Sequence, residues 1–303
     1  MRTVLLVLTA ARLFGQQVLS PDAEFDLASQ GKAHHASRVA RCYFSARPNR
    51  LTFVRIDGGV ASLSTADLNG RGLYAKSDFV SVHALINAAL LRRDGSFWLV
   101  SDAPYRLDDA VGGRILFKEL DLYSQAGEHL DSLRLLSPVG GSESPIAANR
   151  DELVWRSAVS PHFHSSQTQL VHFGTAVKGE FRERTTAKLE PPIFGAISIL
   201  TEDGELLLID KASGNMEVID PNAKRGSVVK LADPQRVRAA AVDGDFVYLL
   251  TPAAVLKTDF SGQVVATYGF QANRAFEPSC LGVTGQSMYL VDKLGHVERF
   301  AMH

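Results

Sequence analysis

The chain is poor in the residues that usually announce chemistry. Its 303 residues include two cysteines, four methionines and two tryptophans. No C-x-x-C, H-E-x-x-H, G-x-S-x-G or Walker-type phosphate loop occurs, so thiol redox catalysis, zincin proteolysis, an α/β-hydrolase nucleophile and P-loop nucleotide hydrolysis all lack their signatures. Charge of one sign is missing too: 32 Lys and Arg against 33 Asp and Glu leave a net charge of −1. Without a Lys/Arg block there is no electrostatic footprint for a polyanion, and no nucleic-acid partner is expected. The N-terminal apolar run at 4–11 is far short of the roughly 20 residues that cross a bilayer, so no permanent transmembrane helix is expected there.

That run fits a different role. Met1-Arg2-Thr3 is a short basic start, and Gly15 supplies a small residue before a cleavage point, so residues 1–17 read as a secretory signal peptide and the protein as periplasmic or secreted. A buried N-terminal strand is the rival reading. Residues 18–36 show no sustained period and read as a lead-in segment, which leaves 37–303 as one domain. Cys42 and Cys280 lie near opposite ends of this domain. In an exported protein a bond between them would join its first and last units. Two unpaired thiols on separate strands are the commoner arrangement and the one expected, because a bridge needs Cα atoms within about 7 Å.

What the chain does have is repetition. A hydrophobic content of 46% is ample for one large core. The clearest unit is Val242-Asp243-Gly244-Asp245-Phe246-Val247-Tyr248-Leu249-Leu250-Thr251, followed by a second pair of apolar runs around Asp259-Phe260-Ser261-Gly262. β-Branched and aromatic runs punctuated by Asp-Gly and Ser-Gly predict short antiparallel strands joined by tight turns. The same grammar places turns at Gly95, Asp151, Gly204, Gly244 and Gly285, spaced 56, 53, 40 and 41 residues apart. That is the spacing of four-stranded propeller blades. Five such centres and an irregular unit at 39–63 predict an all-β propeller of six blades, within a range of five to seven. The last unit ends one strand short, as expected if an N-terminal strand closes the ring. Two alternatives are an open meander or β-sandwich for the whole domain, and a helix over 83–93, where Leu85, Ile86, Ala89, Leu90 and Arg93 share a face.

The order apolar strand, Asp-Gly, aromatic-aliphatic strand, apolar strand, Asp-x-x-Gly, seen in Asp243-Gly244, Tyr248-Leu249-Leu250-Thr251 and Thr258-Asp259-Phe260-Ser261-Gly262, resembles NHL-type six-bladed propellers over roughly residues 80 to 300. Thr251 and Arg156 stand where that pattern more typically has Asp.

In such a ring the positions after each second strand converge on one face. Here they are Asp102, Arg156, Asp210, Thr251 and Asp292. Asp102, Arg156, Asp210 and Asp292 are the candidate ligand-binding set. The simpler role for each Asp is to cap its own turn. His162 and His164 form an H-x-H, a workable pair for zinc or copper on a strand, although the surroundings read as a polar loop. The loops 101–114 and 156–168 fall in neighbouring units and form the expected contact surface. The function expected is a binding or scaffold module, monomeric, with an unidentified protein or small-molecule partner and no cofactor. The alternative is a lactonase-like hydrolase with calcium or zinc held by Asp102, Asp210 and Asp292.

Overall fold

The computed structural model describes residues 17–27, 40–47, 49–79, 85–102, 106–108, 113–137, 144–159, 168–189, 196–222, 225–231, 233–270 and 276–302. They form six sheets, each built on four antiparallel strands and arranged as a six-bladed β-propeller. Blade 1 is Arg41–Ser45, Arg50–Asp57, Val60–Asp67 and Gly72–Phe79. Blade 2 is Leu85–Leu91, Phe97–Asp102, Gly113–Tyr123 and His129–Ser137, with the short strand Arg106–Asp108 paired to the start of its third strand. Blade 3 is Ser144–Asn149, Glu152–Val159, Thr168–Val177 and Glu180–Leu189. Blade 4 is Ala196–Leu200, Leu206–Asp210, Met216–Asp220 and Arg225–Val229. Blade 5 is Ala239–Asp243, Phe246–Leu250, Ala254–Asp259 and Val264–Phe270. Blade 6 is Cys280–Thr284, Ser287–Val291 and His296–Ala301, completed on its outer edge by Ala23–Asp26.

Period-2 patterning turns these strands into a ring. In the second strand of blade 1, Leu51 and Phe53 pack toward blade 6 whereas Val54 and Ile56 pack toward blade 2. Each blade is therefore apolar on both faces, which a sheet tolerates only when both are covered. The covering is complete: six separate apolar clusters fill the six interfaces between successive blades, including the one that joins blade 6 back to blade 1. Trp98 and Trp155 both belong to the cluster between blades 2 and 3.

The strand over Leu85–Leu91 replaces the rival helix, since it pairs along its length with Phe97–Asp102. The lead-in reading of 18–36 is corrected in part. Gln17–Leu19 pairs in parallel with the outer strand of blade 5, and Ala23–Asp26 pairs antiparallel with the last strand of blade 6. These strands are only three and four residues long, too short to carry a clear period. The outer strand of blade 1, Gly72–Phe79, escapes the sequence pattern for another reason: six of its eight residues are exposed. The signal-peptide reading of 1–17 falls almost wholly outside the described residues.

The expectation of two free thiols is also corrected. Cys42 and Cys280 form a disulfide with Cα atoms 6.5 Å apart, across a sequence separation of 238 residues. The ring itself supplies the proximity: both cysteines lie on the innermost strands of neighbouring blades. The same seam is tight elsewhere. A Cβ at Gly282 would lie 2.5 Å from the Phe44 ring, and Tyr289 donates its hydroxyl to the Leu68 carbonyl at 3.1 Å.

Candidate functional site

Antiparallel blades give the ring two ends. At one, which we call the return end, the second strand of each blade turns into the third; at the other, the hairpin end, the first strand turns into the second.

The candidate set read from the sequence belongs to the return end. Asp210 and Asp292 are there, each bound to its own turn. The Asp210 carboxylate accepts from the Ala212 and Ser213 amides, both at 3.2 Å, and from the Ser213 hydroxyl. The Ser213 hydroxyl above all holds this carboxyl below its ordinary value; burial opposes it, and the two amides add to the lowering. Asp292 accepts from the Leu294 and His296 amides at 2.8 and 3.0 Å. Thr251 does the same work in blade 5, accepting from the Ala254 amide and donating to the Ala254 carbonyl. Arg156 is displaced from this set. Its strand continues to Val159, so Arg156 sits in mid-strand opposite Val171, half-buried, with burial pushing its guanidinium down. Asp102 closes the second strand of blade 2, and its side chain lies outside the described residues, as do His162, His164 and most of the two long loops. Among the described residues no group of three His, Cys, Asp or Glu is placed to hold a metal ion.

The hairpin end is organised differently. Arg47, from the first turn of blade 1, reaches Glu202 of blade 4 at 3.2 Å and Asp243 of blade 5 at 2.7 Å, and also donates to the Val242 carbonyl. Arg93 of blade 2 meets the same Glu202 at 2.6 Å. Residues 155 apart in sequence thus pair over the mouth of the ring. In the sequence each of these residues looks like ordinary turn polarity. The available signal is that charged residues recur at this one turn in blade after blade: Arg47 and Arg50, Arg92 to Asp94, Arg150 to Glu152, Glu202 and Asp203, Asp243 and Asp245.

Beside this bridge a cavity of about 470 Å³ opens, lined by Arg93 of blade 2, Asn149 to Glu152 of blade 3 and Glu202 to Gly204 of blade 4. Most of its charges are matched. Arg92, buried beneath it, donates to Asp151 at 3.2 Å, and Arg184 pairs with Glu152 at 3.0 Å. The turn that carries Arg150 is unusual. Arg150 has a φ of 45°, at the position where the corresponding turns of blades 5 and 6 have Gly244 at 56° and Gly285 at 58°. An L-residue with a Cβ is strained there and glycine is not.

Fold and site together define a six-bladed β-propeller with a charged cavity at one mouth. The chain is similar in structure to virginiamycin B lyase from Staphylococcus aureus at 13% identity, covering 93% of this chain and 99% of that one, with a TM-score of 0.54. A catalytically inactive variant of the same lyase with quinupristin gives 11% identity, the same coverage and a TM-score of 0.52. BamB from Moraxella catarrhalis matches at 11% identity over 94% of this chain and 98% of that one, with a TM-score of 0.41. At such identities the likeness is one of fold. No protein-family model and no curated protein sequence matches the chain.

Proposed function

We propose that the protein is an exported binding module that takes its ligand at the hairpin mouth of the propeller. The observation that carries this reading is the cavity lined by charged side chains from three blades, whose volume of about 470 Å³ lies in the range of small-molecule sites. A rigid ring that presents turns around a concave mouth is also where recognition is usually found. The Cys42–Cys280 disulfide supports export, because such bonds persist in oxidising compartments. The signal-peptide reading of 1–17 agrees with it, and the N-terminal sequence of the mature protein tests it.

The hydrolase reading draws on the return end. It needs carboxylates turned toward a shared metal, whereas those of Asp210 and Asp292 accept hydrogen bonds from their own turns. No observation favours it over the binding reading. A ligand-observed NMR screen of small polar molecules separates the two ends. Ligands of the wild-type protein are expected to be lost in Glu202→Ala and kept in Asp210→Asn; the reverse pattern would sink the assignment.

A further inference from the structure

The segment that completes blade 6 carries a negative charge at every second position. Residues 17–27 form a strap: Gln17–Leu19 adds to the edge of blade 5, Ala23–Asp26 pairs with His296–Ala301, and Phe25 lies over Gly70 of blade 1. Its charged residues are Asp22, Glu24 and Asp26, and all are acidic.

These three acids meet different partners. Asp22 accepts from the Arg299 guanidinium at 2.9 Å, and a guanidinium keeps its charge throughout. Asp26 lies 2.8 Å from His296 Nδ1, a contact that is an ion pair only while the imidazole is protonated. Glu24 stands directly opposite Glu298, and neither carboxylate has a hydrogen-bond or ion-pair partner among the described residues. Like charges placed so destabilise a strand pair. Glu298 is buried, and burial first, then Glu24, raises its carboxyl above the ordinary value of 4.5, with His296 opposing and Asp292 adding.

The other charged and titratable groups around these pairs are engaged elsewhere. Asp292 accepts from its own turn; Phe276 sets its ring edge-on to His296, and Glu277 beside it pairs with Arg238. Blade 5 turns Tyr248, Tyr268 and Lys257 toward blade 6, with both phenols pushed up by burial and Lys257 over the Phe246 ring. On the blade 1 side Asp26 shares a small cavity with Tyr74, and Asp67 is bound to its own turn.

Both switchable pairs change in the same sense. A strapped Glu298 holds its proton where a released one has lost it, so this part of the hold fades as pH rises from 4.5 through the raised value. His296 gives up the charge that Asp26 attracts as pH rises, so the second pair weakens too.

We propose that residues 17–27 form a pH-sensitive clasp, held tightly at mildly acidic pH and loosened as pH rises, while the ring itself stays shut. The Cys42–Cys280 disulfide keeps the innermost strands of blades 6 and 1 joined when the outer strand lets go. Release bares the outer edge of His296–Ala301, a row of unpaired backbone groups.

Amide hydrogen exchange of the full protein tests the clasp, each rate being divided by that of an unstructured peptide at the same pH. Protection at Ala23–Asp26 is expected to fall about tenfold from about pH 5 to about pH 8, the order expected of one shifted carboxyl and one lost ion pair. Phe246–Leu250 in blade 5 is expected to keep its protection. Glu24→Gln, a change at an exposed position, should raise protection of the strap at the higher pH and shrink the fall. Glu298→Gln/His296→Gln should level it. Strap protection that holds or rises with pH overturns the clasp. An undiminished fall in Glu24→Gln overturns it as well, since other groups would then drive the change. A parallel loss at Phe246–Leu250 does the same, because the whole ring would be unfolding.

Discussion

The seam between blades 6 and 1 and the mouth over blades 2 to 4 use the same sheet geometry for opposite ends. At the seam, close approach leaves little slack: a disulfide joins the innermost strands, Gly282 makes room for Phe44, and buried Leu51, Phe53, Tyr289 and Val291 fill the space between the blades. At the mouth the contacts are polar and long-range, the backbone carries strain at Arg150, and Asn149 Oδ1 is left without a donor among the described residues. At the seam apolar packing and a disulfide hold neighbouring blades together; at the mouth ion pairs between turns of different blades do so, and a cavity stays open beside them.

Four changes test this contrast, in falling order of effect. Removing the disulfide with the double variant Cys42→Ser/Cys280→Ser should lower stability by about 2–5 kcal/mol, since it frees a very long loop in the unfolded state. Denaturant unfolding with and without reductant measures this, and reductant should have no further effect on the variant. Gly282→Ala should cost about 1–3 kcal/mol by overpacking against Phe44 and Ala46. An unchanged denaturation midpoint would show that the seam has slack after all. Arg150→Gly should have the opposite sign. Relief of a left-handed residue is worth about 1–2 kcal/mol and glycine's extra chain entropy offsets part of it, so a net gain of up to about 1 kcal/mol is expected in the unfolding midpoint.

The smallest effect depends on pH. Glu217, on the third strand of blade 4, is 5% exposed, and burial raises its carboxyl above the ordinary value of 4.5. The folded state then holds this proton where the unfolded state has released it, so stability falls as pH rises from 4.5 through the raised value. Glu217→Gln should remove that fall. Unfolding midpoints should favour the variant at about pH 7, and its advantage should shrink as pH is lowered through the raised value toward the ordinary value of 4.5.

The fold is legible in the sequence because a blade's two inner hairpins combine period-2 burial with turns that demand Gly or Asp. Five such hairpins, from Gly95 to Gly285, set the blade spacing. Legibility stops where burial stops. Gly72–Phe79 lies at an outer edge, where exposure of six of its eight residues erases the alternation, and Ala23–Asp26 alternates over only four residues, too few to stand out. Arg156 reads as a strand end although its strand runs three residues further, to Val159, past the apolar stretch. The bridge from Arg47 to Glu202 has no local signal at all, since only ring closure brings those turns within reach. The disulfide is hidden for the same reason: the proximity of Cys42 and Cys280 is a property of the closed circle, not of either strand.

The N-terminal strands have a consequence for how the chain is made. Asp22 bonds Arg299 across 277 residues, and Ala23–Asp26 finds its partner only in His296–Ala301. During synthesis Ala23–Asp26 thus waits for the last strand of blade 6 before it can pair, and the circle cannot close until almost the whole chain has been produced. Contacts of such sequence separation are slow to form. A polypeptide that delays its final fold in this way stays an open chain for most of its synthesis.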